Sequence, residues 1–218
     1  MLEGHLRTVE SWLLAIPQDY FQKNPRLNLS VAWLNLMRAS LDRVAPAMER
    51  AAAILAAHPE AEQDASLQCE WLALQSRLLN VQGKPAESRD MANHALKILP
   101  ESEPYVRSML HVNLATAYQQ MLDYSHAAEA FQLIVRDAQT AGDHVSETLG
   151  TSGQVQMLLI QGRLRQAFEA VSEGIRRLEA YGKDNPFGAT LYGEIGQIHY
   201  HWHHLDQARS NSQRSMQT

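Results

Sequence analysis

Cysteine is nearly absent: Cys69 stands alone among 218 residues. A single thiol excludes an internal disulfide framework and any multi-cysteine zinc module within the chain. Long apolar runs are missing too. The longest, Ala51–Ala57, has seven residues, well short of the roughly 20 that a membrane-crossing helix needs. Positive charge is in deficit, with 19 Lys and Arg against 24 Asp and Glu and a net charge of −5. Without a basic block, this segment cannot grip a phosphate backbone by itself. The first residues, Met1, Leu2, Glu3, Gly4 and His5, lack the basic-then-apolar layout of a secretion signal. There is no G-x-x-x-x-G-K-[ST] phosphate loop, because Gly83-Lys84 runs into Pro85. Strand-type alternation with β-branched enrichment and hairpin turns is not found either. What remains, 45% apolar and 20% charged residues, is enough to build a sizeable globular core. The expected setting is soluble, reducing and cytoplasmic.

The apolar residues that are present fall at helical spacing. Tyr124, Ala127, Ala128, Phe131, Ile134, Val135 and Ala138 form one stripe, and Val106, Leu110, Leu114, Ala117, Tyr118 and Met121 form another. Gly83 and Gly162 sit just past the end of such stripes, where a left-handed cap is wanted, and Gly142 and Gly182 close others. Pro17, Pro25, Pro59, Pro100, Pro104 and Pro186 read as residues of connections, while Pro46 and Pro85 fall in first turns, where a missing N–H costs little. The fold class is all-α.

The helices repeat in pairs. Around the turn within each pair, a small or β-branched residue recurs at Val9, Val44, Ser88, Ala127, Ala167 and Ala208, at spacings of 35, 44, 39, 40 and 41. Four residues later come Leu13, Met48, Ala92, Phe131, Val171 and Ser212; three residues earlier come Leu6, Leu41, Pro85, Tyr124, Leu164 and Leu205. A small side chain is needed where the second helix approaches the first, so a bulky replacement at Ala127 or Ala167 should cost roughly 1–3 kcal/mol by overpacking. Leu114-Ala115-x-x-Tyr118 followed by Ala127 and Phe131 fits the tetratricopeptide pattern. The expected architecture is a tetratricopeptide-like right-handed superhelix of about 10–11 helices, with a period near 40 and a concave face lined by first helices. It forms one domain over residues 1–218, with a half unit at about 1–22 and units at about 24–59, 64–100, 103–142, 144–182 and 186–218. The pattern starts on a second helix and stops at Thr218 within another, so the chain is expected to be a piece of a longer protein.

Several stretches resemble a known group. Gly4-His5-Leu6-Arg7-x-Val9-x-x-Trp12-Leu13-x-x-Ile16-Pro17, then Asn24-Pro25-Arg26-Leu27 and Ala32-Trp33, is similar to the start of the helical-repeat region of the large ATP-dependent LuxR-type, MalT-like transcription regulators. Ala92-x-x-Ala95-Leu96-x-x-Leu99-Pro100 and Tyr200-x-Trp202-x-x-Leu205-x-x-Ala208 resemble later parts of the same region. The resemblance implies a regulator whose separate N-terminal module holds ATP and whose separate C-terminal helix-turn-helix holds DNA. The helical region would receive a small-molecule inducer, a sugar among the candidates, or a regulatory protein or peptide. No residue here inherits ATP or DNA contact, and no cofactor is expected in this segment.

Four histidines crowd into His199-Tyr200-His201-Trp202-His203-His204. Helical spacing would put His199 and His203 on one face as weak candidates for a metal, with Asp206 near, but the preferred reading is a solvated helix end with no metal. Cys69, beside Trp71 and Leu72, reads as a small core residue. Glu101 with Glu103, and Glu60 with Glu62, read as solvated loop charge. Gly150-x-x-Gly153 and Gly193-x-x-Gly196 fall inside first helices and read as close-packing positions. Trp12, Trp33 and Trp71 are expected in the core. No nucleophile is set on a strained turn, so no catalysis is expected.

The concave wall is the better candidate site. With the small turn residue counted as the twentieth of each unit, the ninth column reads Trp33, Arg77, Thr116, Gln156 and Gln197. The twelfth reads Leu36, Asn80, Gln119, Leu159 and Tyr200, and the thirteenth Met37, Val81, Gln120, Ile160 and His201. Arg77, Asn80, Thr116, Gln119, Gln120, Gln156, Gln197 and Tyr200 are the candidate groove residues. Amides beside an aromatic and one cation suit a sugar or a peptide backbone. Two functions compete: an effector- or partner-binding sensor of a transcription regulator, and a plain tetratricopeptide scaffold for protein docking. Self-association through exposed apolar ends is a further expectation.

Overall fold

The computed structural model describes residues 2–57, 64–181 and 188–216, with backbone alone for 2–5. Pro59, Glu60, Glu62, Gly182, Pro186 and Thr218 lie outside the described residues. Among the described residues there are twelve α-helices, one short 3-10 turn and no strand. In chain order they are α1 (Leu2–Ala15), α2 (Gln18–Phe21), α3 (Pro25–Met37), the 3-10 turn Leu41–Arg43, α4 (Val44–Ala57), α5 (Ala65–Val81) and α6 (Pro85–Ile98). Then follow α7 (Pro104–Gln120), α8 (Tyr124–Ala141), α9 (His144–Ile160), α10 (Leu164–Tyr181), α11 (Gly188–His201) and α12 (Leu205–Ser215). The one-turn α2 was not separated by the periodicity. Five pairs result: α3/α4, α5/α6, α7/α8, α9/α10 and α11/α12. Each of the second helices α6, α8 and α10 also packs on the next first helix. The chain is a tetratricopeptide-like superhelix.

Local sequence explains the helix starts. Asp64, Asp123 and Asp143 cap α5, α8 and α9, each accepting a bond from a backbone N–H two or three residues on. Pro25 and Pro104, expected in connections, instead occupy the first positions of α3 and α7, where proline is pre-organised for helix and its missing N–H is not needed. Asn24 completes the α3 cap by accepting from the Leu27 amide at 3.2 Å.

The turns share a backbone requirement. Five residues before each small anchor from Val44 onward the chain passes through a left-handed conformation, at Ala39 (φ 56°), Gly83 (73°), Leu122 (60°), Gly162 (70°) and His203 (59°). Only two of these five are glycine, so the turn is imposed by packing even where the residue disfavours it.

The anchor column is buried from Val44 onward. Val44, Ser88, Ala127 and Ala167 have no exposed surface, and Ala208 is nearly covered. Ser88 is held by the Ser76 hydroxyl, which lies 3.0 Å from its carbonyl oxygen. Val9 differs and is exposed, because among the described residues α1 leans mainly on α3. The core runs as stacked layers: Leu29, Val44 and Met48 in the first pair, Cys69, Leu110 and Ile134 in the middle, and Val155, Val171 and Ile198 near the far end. Cys69 is fully buried and burial raises its thiol pKa, so it is an inert core residue. A Cβ on Gly153 would lie within 2.6 Å of three Phe131 ring carbons, so this glycine lets α9 close onto α8. Trp33 and Trp71 pack against the core as expected. Trp12 does not. It is 65% exposed, because an apolar stripe is buried only when a neighbouring helix covers it.

Candidate functional site

The first helices touch one another directly along α3–α5, α5–α7 and α9–α11, and all three contacts are polar; in the first, Arg26 donates to the Ser66 hydroxyl at 3.0 Å and pairs with Glu70 at 3.3 Å. In the α5/α7 seam, Arg77 Nη1 donates to the Thr116 hydroxyl at 3.1 Å. Asn80 donates through Nδ2 to the Asn113 carbonyl at 2.9 Å, and Asn113 donates back to the Ala73 carbonyl at 2.7 Å. Gln120 Nε2 closes the ladder on the Asn80 carbonyl at 3.1 Å. Four of the candidate residues, Arg77, Asn80, Thr116 and Gln120, are thereby brought together. They do not play equal parts. Asn80 is 2% exposed and works inside the seam, while Gln120 is exposed and Arg77 and Thr116 are partly open. Gln119 is half-buried beside them.

The α9/α11 seam is built on an acid. Glu194 is 6% exposed; its Oε1 accepts from the Ser152 hydroxyl at 2.6 Å and from Gln156 Nε2 at 3.3 Å. Its Oε2 is buried with no hydrogen-bond partner among the described residues. Burial pushes its pKa up to about 7, against the smaller opposite pull of Ser152 and Gln156. Gln156 therefore belongs to this second seam. Gln197 and Tyr200 are exposed and stand apart from both seams. They line a recess of about 490 Å³ between α11 and α12, with Gly193, Gly196, Leu205 and Arg209.

Sequence reasoning missed Asn113, Ser152 and Glu194. A signal existed for two of them. Asn113 and Glu194 occupy the column three residues before the ninth, where the other units carry Ser30, Leu74 and Gly153. A large polar group at a position otherwise small or apolar marks a helix–helix seam.

The exposed stripes beside these seams are mixed. Val81 follows Arg77 on α5, Val112 precedes Thr116 on α7, and Leu149 and Ile160 flank Gln156 on α9; all four apolar residues are exposed. The first-helix wall thus alternates amides and one cation with accessible aliphatic side chains.

The histidine cluster is arranged differently from its helical spacing. Helix α11 ends at His201 and His203 turns left-handed, so His199 and His203 do not share a helix face. The His199 ring packs against Phe168, Trp202 and His204 at centroid distances of 5.6, 6.1 and 5.8 Å. Among the described residues no group of three His, Cys, Asp or Glu side chains could hold a metal ion. Another titratable pair, His111 Nδ1 with Asp137 Oδ2 at 2.6 Å, is buried between α7 and α8, and burial lowers the His111 pKa. A second recess, of about 900 Å³, lies in the first unit between Leu13, Phe21, Val31, Leu34, Arg50 and Ile54. No helix among the described residues is long and apolar enough to cross a membrane.

Comparison with known proteins bears on what this wall is. Across 97% of the chain the fold superposes on the crystal structure of BtubC (BKLC) from P. vanneervenii, with a TM-score of 0.74, 12% identity and 85% of that chain covered. At that identity the likeness is one of fold. By sequence, 98% of the chain aligns with the HTH-type transcriptional regulator MalT of Serratia proteamaculans at 27% identity, and with that of Yersinia enterocolitica at 24%. The alignment to MalT of Yersinia pestis is 25% identical. In each case the chain spans 24% of the relative's length. The profile of the family described as the MalT-like TPR region matches residues 69–218, which hold the α5/α7 and α9/α11 seams and every candidate groove residue. The chain belongs to that family.

Proposed function

We propose that this chain is the effector- or partner-binding sensor segment of a MalT-like, LuxR-type transcription regulator in the cytoplasm, with no catalytic step of its own. The observation that carries the reading is the first-helix wall, where Arg77, Thr116, Gln120 and Gln156 sit among exposed Val81, Val112, Leu149 and Ile160. Neutral hydrogen-bonding groups set in accessible aliphatic surface suit a small molecule with hydroxyl groups or an extended peptide, because the polar groups orient the guest and the aliphatic surface supplies affinity. Membership of the MalT-like TPR region family supports placing that surface in a regulator. ATP and DNA would be held by other parts of such a protein. A bound effector can shift the regulator between states only by its differential affinity for them.

Calorimetry with a panel of oligosaccharides and short peptides, on the wild type and on a Gln119→Ala/Gln156→Ala variant, tests the site. The expected result is binding to the wild type that is weakened at least about tenfold in the variant, the equivalent of about 1.4 kcal/mol. Equal binding to both would remove the groove assignment. The exposed aliphatic residues also favour the second reading, a scaffold that docks a regulatory protein; binding of peptides alone, with no small molecule, would select it.

A further inference from the structure

The one cation of the α5/α7 seam is left without a counter-charge. Arg77 is partly withdrawn from water, and burial alone lowers its pKa, with no carboxylate acting on it. Among the described residues it forms no ion pair, although acidic residues outnumber basic ones in the chain. Its single hydrogen bond goes to Thr116, whose own hydroxyl proton is given to the Val112 carbonyl at 2.9 Å. Of the five N–H donors of a guanidinium, one is used. The remaining donors of this partly exposed guanidinium are free to meet a guest, and its planar fork matches a carboxylate or a phosphate. The seam around it is also incomplete. Asn80 is oriented by its Nδ2 bond to the Asn113 carbonyl, and this leaves its Oδ1 buried with no donor. The exposed Gln120 amide and the exposed Val81 and Val112 border the same place.

We propose that Arg77 anchors an anionic group, a carboxylate or a phosphate, carried by the ligand of the concave wall. Thr116 sets the angle of the guanidinium and leaves its remaining N–H groups for the anion. Gln120 offers an amide to an adjoining polar group, and Val81 and Val112 receive the apolar part of the guest. The proposal rests on the groove reading given above and narrows its ligand to an acid.

Thermal unfolding of the whole chain in inorganic phosphate, in acetate and in chloride at one ionic strength tests it, on the wild type, Arg77→Met and Arg77→Lys. Differences between variants cancel the general effect of each salt. The expected outcome is a midpoint that rises from chloride to phosphate, or from chloride to acetate, at least about twice as much in the wild type as in R77M. R77K, which keeps the charge but loses the fork, should fall between them. The anion giving the larger rise identifies the head group. Equal responses in wild type and R77M, or no response in either, would overturn the proposal. Neither result touches the groove reading itself, which fails only if the Gln119→Ala/Gln156→Ala variant binds its ligand like the wild type.

Discussion

Replacing Glu194 by Gln should make the stability of the chain less dependent on pH, and the burial of the carboxyl sets the sign and the order of magnitude of the effect. In the folded state the carboxyl is almost fully covered between α9 and α11. No basic side chain offsets its burial, and its pKa rises from 4.5 to about 7. The folded chain therefore holds this proton more tightly than the unfolded chain does. Below the unfolded pKa both states are protonated and the residue has no pH-dependent effect. As pH climbs from the unfolded value toward the folded one, the unfolded state loses its proton first and stability falls. Above the folded pKa the loss levels off at about 3 kcal/mol, from 1.36 kcal/mol for each pKa unit. Most of the change, about 2.5 kcal/mol, falls between pH 5 and pH 8. Gln cannot ionise, yet its carbonyl oxygen can still accept from Ser152, so E194Q should match the wild type near pH 5 and exceed it near pH 8. For a chain of this size the gain is roughly 5–10 °C in midpoint. His111 and His199, whose pKa values burial lowers, change stability in the opposite sense over the same range. Both are present in both proteins, so the difference between the two melting curves isolates Glu194. A difference that is constant from pH 5 to pH 8, or one that shrinks, would refute the reasoning.

Three further perturbations follow from the packing. Gly153→Val should cost roughly 1–3 kcal/mol, read from urea unfolding, because its Cβ meets the Phe131 ring. Gly193→Ala should raise stability by about 0.5–1 kcal/mol, since a helix interior favours Ala and the new Cβ would meet only Ser215 Oγ at 3.4 Å. Leu122→Gly should raise stability by about 0.5–1 kcal/mol, because Leu122 is exposed and held at a φ of 60°; a loss of stability in thermal melts would show that the turn is not strained.

The repeat was legible because it depends on one side chain per unit. Val44, Ser88, Ala127, Ala167 and Ala208 must each fit under a crossing helix, so smallness at near-constant spacing survives in the sequence and the structure buries all five. The turn before each anchor was half legible. Gly83 and Gly162 announce a left-handed residue, whereas Ala39, Leu122 and His203 adopt the same backbone under tertiary constraint and carry no local sign of it. Trp12 shows the limit of periodicity, which finds the apolar face of a helix but not whether a neighbour covers it. The groove columns fall on the first helices, α3, α5, α7, α9 and α11. They could not separate Asn80, spent inside the seam, from Gln120, one turn of α7 beyond Thr116 and open to solvent, because the distinction lies in how closely α5 and α7 approach. Glu194 was harder to read for the opposite reason: taken alone a carboxylate reads as solvent-facing, and only the otherwise small or apolar column it occupies marks the helix laid over it.

That closeness also limits how a guest can bind. Arg77 with Thr116, Gln120 with the Asn80 carbonyl, and Gln156 with Glu194 already hold part of the groove's hydrogen-bonding capacity. A ligand that takes over one of these bonds exchanges one partner for another, and a hydrogen bond is worth only about 0.5–1.5 kcal/mol net in either case. In the proposed groove the amides would therefore choose and orient a guest without supplying most of its affinity, the Arg77 anchor apart. Beside that anchor, the larger contribution would come from covering Val81, Val112, Leu149 and Ile160, at roughly 25 cal/mol for each Å² of apolar surface removed from water. Two of these residues border the α5/α7 seam and two flank Gln156 in the α9/α11 seam. A guest long enough to cover both pairs would span the α8–α9 contact that Gly153 and Phe131 hold tight. Its affinity would then depend on a spacing between units that is set by a contact, Gly153 on Phe131, that it does not itself touch.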